Sequence, residues 1–336
     1  MQHIKRSLVN LGRILSETNT NNALEQAIQR AYTKNKWFTP EFIRYNLNHW
    51  GRLLTHKNLD AWLDAYPAPK NTQKTVGIVM AGNIPLVGLH DMISVLLSGH
   101  KALIKTSSKD SVLVKFVADF LCDDNPSLKQ KINITDGFFT NVDAVIATGS
   151  NNTARYFDYY FKNTPHVIRK NRNGIALLDG EESNDQLKRL AKDVFLYFGL
   201  GCRNVSKLYI PQDMDEKRIL DNMEDYRYFT EHNKYMNNHL YNKAILLMDQ
   251  QAFLDNDFLL LREHDEIASP VAILYYERYH NLKTLFRQIK KHKNDIQCIA
   301  AENVAVENAV EFGETQHPGL TKYADDIDTM KFLLNL

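Results

Sequence analysis

The chain has 336 residues, 44% of them apolar and 24% charged, which excludes a disordered chain or a small disulfide scaffold and leaves room for two packed domains. Forty-one Lys and Arg against 40 Asp and Glu give a formal charge of +1, without the basic excess expected of a protein held to nucleic acid by phosphate contacts. The three cysteines are too scattered for a disulfide framework or a metal cluster, and no apolar run approaches the roughly 18–20 residues that span a bilayer, so the expectation is a cytoplasmic protein with no membrane span.

Ile4, Leu8, Leu11 and Leu15 recur at helical spacing, which predicts a first helix docked by one face. Thr39-Pro40-Glu41 supplies an N-cap, a proline suited to the first helical position and an acid in the first turn. Phe42, Ile43, Leu47, Trp50 and Leu54 then form an apolar face. The helical segment ends at a proline-punctuated link, residues 66–70.

From Thr75 the pattern changes to short β-rich runs joined by helices. Residues 75–80 read as a strand buried on both faces, 82–84 as a turn, Pro85 as the opening of a helix, and 102–105 as the next strand. That is a βαβ unit. A helix from about Asp110 follows, then a strand at 144–147 and an aromatic helix at 154–161. Runs at 166–169 and 174–178 complete an alternating half. The acidic loop 179–183 marks the expected boundary. Beyond it come a helix ending near Phe198, a strand at 205–210, a helical stretch over 214–242, a strand at 272–276 and a helix at 282–289. The predicted domains are 1–178, 179–305 and a tail of 306–336.

Cys202 stands out by context. It follows Gly199-Leu200-Gly201 and precedes Arg203, between a buried helix and a strand. Glycines let the backbone approach a ligand, and a neighbouring arginine favours the nucleophilic thiolate. The helix ends there with its negative pole and gives no help. Cys122 and Cys298 sit in ordinary helix-end and strand contexts and read as core fillers. Asn83, in Gly82-Asn83-Ile84-Pro85, lies where a strand's carboxyl end meets a helix; its amide suits an oxyanion, although a plain turn asparagine fits the same place. Thr148-Gly149-Ser150 occupies a similar turn, where backbone N–H groups can meet a pyrophosphate. Lys105-Thr106-Ser107-Ser108-Lys109 ends another strand with amines and hydroxyls, suited to ribose or phosphate contact or simply to solvent. No G-x-G-x-x-G fingerprint is present.

In this order the pieces resemble the aldehyde dehydrogenase superfamily, and most closely its acyl-CoA reductase branch of LuxC type. Gly82-Asn83-Ile84-Pro85-Leu86 resembles the asparagine–aromatic–proline turn, and residues 98–107 resemble the glycine–asparagine…lysine–proline–serine strand. Ala147-Thr148-Gly149-Ser150 resembles the turn over the cofactor, and Phe198-Gly199-Leu200-Gly201-Cys202-Arg203 the nucleophile loop. Glu266-Ile267-Ala268-Ser269-Pro270-Val271 resembles the glutamate–isoleucine–phenylalanine–glycine–proline–valine motif, with a departure at Ala268-Ser269. The stretches from Phe312 to Pro318 and from Asp328 to Met330 are also similar to the acyl-reductase branch.

The resemblance implies an α/β, aldehyde-dehydrogenase-like fold: a Rossmann-type cofactor domain, a second α/β catalytic domain and a helical N-terminal segment. It implies reduction of an acyl thioester, from acyl-CoA or an acyl carrier, to a fatty aldehyde through an S-acyl intermediate on Cys202. Asn83 and the Cys202 backbone N–H would hold the oxyanion. Glu266 would hold the nicotinamide ribose, Lys105 the adenosine ribose, and Gly149 and Ser150 the pyrophosphate. Ser107, Ser108 and Lys109 would take a 2′-phosphate, which favours NADPH over NADH, and no metal is called for. The water-activating glutamate of the hydrolytic enzymes has no counterpart, since the corresponding stretch is Arg169-Lys170-Asn171-Arg172-Asn173. That basic cluster suits coenzyme A phosphates, an acyl-transferring partner enzyme or solvent. A homo-oligomer is expected. The alternatives are a reductase of acyl phosphates and a catalytically silent subunit that binds acyl chains or partners.

Overall fold

The computed structural model describes residues 1–17, 21–70 and 72–336. The chain divides into two compact units, Met1–Asn171 with Gly319–Leu336, and Arg172–Pro318.

The first unit begins with four helices: α1 (Gln2–Ser16), α2 (Asn22–Lys34), α3 (Pro40–Leu53) and α4 (His56–Leu63). The stripe on α1 is buried as its spacing predicts, with Leu8, Leu11 and Leu15 fully enclosed. On α3 the Thr39 side chain accepts the Phe42 N–H at 3.3 Å, and Pro40 opens the helix. The sheet then follows as β1 (Thr75–Val79), α5 (Leu89–Leu97), β2 (Lys101–Lys105), α6 (Ser111–Asp124), β3 (Ile132–Ile134), β4 (Ala144–Thr148), α7 (Asn151–Tyr160) and β5 (His166–Arg169). All five strands are parallel, in the order β3-β2-β1-β4-β5. The chain winds outward from β1 to β3 and then returns to β4 on the other side of β1. The switch point therefore lies between β1 and β4, and the crevice outside their carboxyl ends is where such sheets bind ligands.

Pro85 does not open α5. Residues 85–88 are turns, and Leu86 has a φ of 54°. Its N–H is taken at 2.7 Å by Oδ2 of the buried Asp110. This tertiary acceptor holds Leu86 left-handed and delays the helix to Leu89. The C-terminal segment joins this unit: His100 Nε2 donates to Leu333 O at 2.9 Å, and Leu320 and Leu333 are buried.

The second unit contains β6 (Asn173–Leu177), α8 (Asn184–Phe195), β7 (Val205–Pro211), α9 (Lys217–Asp221), α10 (Asn233–Met248), β8 (Leu254–Asp255), β9 (Leu260–Glu263), β10 (Ile273–Tyr279), α11 (Leu282–Lys291) and β11 (Ile296–Ala300). The strand order is β11-β6-β7-β10-β9-β8, parallel except for the last pair. The run at 174–178, which patterning attached to the first half, thus pairs with β7 and β11 of the second sheet. Its alternation fixes a buried strand but not the sheet that receives it. A capping box at Ser183 and Gln186 starts α8. Among the described residues no helix is long and apolar enough to cross a membrane.

Candidate active site

In the second unit, α8 delivers the chain into a strained turn. After Phe195 a short 3-10 segment carries Tyr197 at φ 56°, ψ 28° and Phe198 at φ 57°, ψ 28°. Two consecutive aromatic residues in the left-handed region cost roughly 1–3 kcal/mol each and persist only where their surroundings over-determine them. Those surroundings are present. Both side chains are buried, and the Phe198 ring packs 4.5 Å from Phe229 and 4.2 Å from His232, centroid to centroid.

Gly201 to Asn204 then forms the turn that carries Cys202, whose side chain is half-buried. Asn204 organises this turn, and sequence reasoning did not single it out. Its Nδ2 donates to the carbonyls of Asp193 at 2.9 Å and Leu196 at 2.8 Å, and its Oδ1 accepts the Gly201 N–H at 2.8 Å. One buried amide thus satisfies carbonyls left over at the end of α8 and ties them to the residue before Cys202. Gly174 packs against the other side of the turn. A Cβ there would stand 2.7 Å from Arg203 O and 2.8 Å from Asn204 O, so only glycine fits.

The surroundings of the other two thiols work against ionisation. Burial pushes Cys298 in β11 up to about 12, and burial with Asp119 and Asp123 raises Cys122 on α6. Nucleophilic thiolate is disfavoured at both. Asp193 of α8 accepts the N–H groups of Gly313 at 2.6 Å and Thr315 at 3.1 Å, and the Thr315 hydroxyl at 2.7 Å. The stretch from Phe312 is thereby anchored to the helix that leads into the Cys202 turn. Burial raises Asp193 to about 6 against those three bonds.

Glu266 is exposed on the loop between β9 and β10. Just beyond it, Pro270 and Val271 share a cavity of about 30 Å3 with Val194, Phe198, Gly199 and Tyr235. The second unit therefore brings the end of the glutamate motif against the approach to Cys202.

The first unit gathers the remaining candidates at the carboxyl ends of β1, β2 and β4. A Cβ on Gly82 would lie 2.5 Å from Ser107 Oγ, so the turn carrying Asn83 and the turn carrying Ser107 are in direct contact. Lys105 places its Nζ 4.9 Å from the centroid of the exposed Phe138 ring. Gly149 donates its N–H to Arg169 O at 3.2 Å. Ser150 caps α7, its hydroxyl oxygen accepting the Thr153 N–H at 3.2 Å. These turns flank the switch-point crevice, and the capped N-terminus of α7 opens toward the same end of the sheet, a setting that suits a dinucleotide phosphate.

Arg169 leaves the proposed basic cluster. It is buried, ion-paired with Asp91 at 2.6 Å and bonded to the Thr329 hydroxyl at 2.8 Å. Its charge is used inside the unit. Among the described residues no group of three or more His, Cys, Asp or Glu is placed to hold a metal.

Solved structures share this fold. An indole-3-acetaldehyde dehydrogenase of P. syringae, in complex with NAD+ and IAA, superposes with a TM-score of 0.67 at 13% identity, covering 91% of this chain and 72% of its own. An NAD-dependent aldehyde dehydrogenase of Sinorhizobium meliloti gives 0.66 at 13% identity, over 91% and 71%. The aldehyde dehydrogenase KauB of Pseudomonas aeruginosa gives 0.64 at 13% identity, over 90% and 72%. The fold is that of the aldehyde dehydrogenases. No curated protein matches the chain significantly. The family described as Acyl-CoA reductase (LuxC) matches residues 16–224. That span contains every sequence candidate except Glu266, and the chain belongs to the LuxC acyl-CoA reductase family.

Proposed function

We propose that the protein reduces an acyl thioester, from acyl-CoA or an acyl-carrier protein, to the aldehyde, through an acyl group held on Cys202. The observation that carries this reading is the half-buried thiol in a glycine-flanked turn that Asn204 and Gly174 fix in place, in a chain of the LuxC family.

The Cys202 thiolate attacks the thioester carbonyl carbon and the carrier thiolate leaves, so one difficult transfer becomes two easier ones. In this scheme the Cys202 backbone N–H would be one oxyanion donor and the Asn83 amide is the candidate for a second, each worth about 10²–10³ in rate. A reduced nicotinamide, when bound, would supply the hydride that the S-acyl carbonyl carbon accepts. The resulting thiohemiacetal collapses to aldehyde and regenerates the thiolate. Between the two halves the acyl group has to survive water. The link from β5 to β6, residues 170–172, carries no carboxylate to act as a general base, whose help is worth about 10²–10⁴-fold.

The reading of a nicotinamide nucleotide as cofactor is supported by the switch-point crevice of the first unit. Gly149, Ser150 and the start of α7 would meet its pyrophosphate, Lys105 its adenosine ribose and Glu266 its nicotinamide ribose. Ser107, Ser108 and Lys109 would accommodate a 2′-phosphate, which favours NADPH over NADH. The expected assembly is a homo-oligomer served by an acyl-transferring partner enzyme.

Brief exposure to acyl-CoA without nucleotide, followed by intact-mass spectrometry, tests the reading. It predicts one acyl adduct on the wild type and none on Cys202→Ala, which should still bind NADPH. Turnover by Cys202→Ala would overturn it. Faster reduction of acyl phosphates than of acyl-CoAs would give the substrate assignment to the rival reductase.

A further inference from the structure

Lys207 is fully buried in the middle of β7. Its amine does not serve the strand it sits on. It donates to the carbonyls of His264 at 2.9 Å and Asp265 at 2.7 Å, and it is ion-paired with Glu277 of β10. The preceding residue reaches the same loop from the other side of Glu266: Ser206 Oγ donates to Ile267 O at 2.6 Å. Neighbouring side chains on a regular strand point to opposite faces, yet both of these meet one loop. The pairing of β6 with β7 explains how. Gly174 pairs with Val205 and Ile175 with Lys207, so Ser206 is skipped, and a bulge of this kind re-aims side chains.

Three carbonyls around Glu266 are therefore pinned from β7. The Glu266 N–H is also held, by His264 Nδ1 at 3.2 Å, and the His264 ring stacks on Tyr275 at 4.5 Å. The backbone around Glu266 is fixed while its carboxylate stays exposed. A buried amine carries a desolvation cost that a methionine of similar length would avoid. Here all three of its donors are engaged, two of them on the Glu266 loop.

We infer that Ser206 and Lys207 are positioning residues, which hold Glu266 where it can receive the nicotinamide ribose. This inference rests on the reading of Glu266 as a nucleotide contact. The clamp acts on nucleotide affinity and leaves acyl transfer to Cys202 alone.

The test is NADPH titration of the full-length protein, followed by nucleotide fluorescence, beside the rate of Cys202 acylation by acyl-CoA without nucleotide. Glu266→Ala should weaken NADPH about tenfold, and Lys207→Met and Ser206→Ala should each weaken it by about three- to tenfold, the scale of one or two lost hydrogen bonds. In the Glu266→Ala background neither should weaken it further, and acylation should keep its wild-type rate in Ser206→Ala and Lys207→Met. Ser206→Ala removes one hydroxyl and keeps the experiment decisive should Lys207→Met fail to fold. Wild-type NADPH affinity in Ser206→Ala and Lys207→Met, with Glu266→Ala impaired, would overturn the clamp, as would losses that add in full to that of Glu266→Ala. Wild-type affinity in Glu266→Ala would instead overturn the reading of Glu266 on which the clamp rests.

Discussion

Replacing Asn204 by alanine should disable Cys202 without touching it. The side chain is 1% exposed and makes three short hydrogen bonds, two as donor to the end of α8 and one as acceptor from Gly201. Each is worth about 1 kcal/mol net, so their loss costs about 3 kcal/mol. With about 2–4 °C per kcal/mol in a unit of this size, the melting midpoint should fall by roughly 6–12 °C. The functional loss should exceed what stability explains. Asn204 ties the end of α8 to Gly201 across the strained Tyr197-Phe198 segment, and without it the turn of Cys202 is free to shift. A displacement of about 1 Å at the nucleophile costs roughly 10²-fold. Stopped-flow release of coenzyme A, measured well below the lowered midpoint, reads the acylation step alone. NADPH titration should remain at the wild-type value. Acylation at the wild-type rate, whatever the melting midpoint, would refute the assignment of Asn204 as the residue that sets the thiol.

Asp193 makes stability depend on pH. Its folded pKa of about 6 stands above the unfolded 3.8 because of burial, so the folded state keeps a proton that the unfolded state gives up. The contribution is fully present below pH 3.8 and is lost as pH rises to about 6, by ~3 kcal/mol. Urea midpoints for wild type and Asp193→Asn from pH 4 to 7 should show wild type losing ground to the variant as pH rises, and parallel curves would refute it. Gly174→Ala places a methyl 2.7 Å from a carbonyl oxygen of the Cys202 turn. It should cost about 1–3 kcal/mol in urea unfolding and slow acylation, and an unaffected acylation rate would refute the close packing argued for that turn.

What the sequence could reveal was whatever its own neighbours decide. The α1 stripe, the Thr39 cap and the buried run from Thr75 are local signals, and each reappears at its predicted place. The start of α5 misled because Pro85 is a good local opener, while the deciding acceptor, Asp110, lies 24 residues away. Arg169 misled similarly: a basic run at a strand end reads as exposed until Asp91 and Thr329 are known to surround one member. The supports of the candidate site were harder still. Asn204 in a turn after a cysteine looks like any turn asparagine, since its partners are backbone carbonyls that carry no signature in the sequence. Lys207 did leave a trace. A lysine within Val205-Ser206-Lys207-Leu208-Tyr209-Ile210, a strand apolar enough to be buried, needs acceptors inside the fold. Which acceptors depends on a bulge beside Gly174 and on a loop nearly sixty residues further on. Residue type announces the candidate for reaction, because the proposed chemistry demands a thiol. The groups that hold it in place answer only to geometry, and there the folded chain is the first place they can be read.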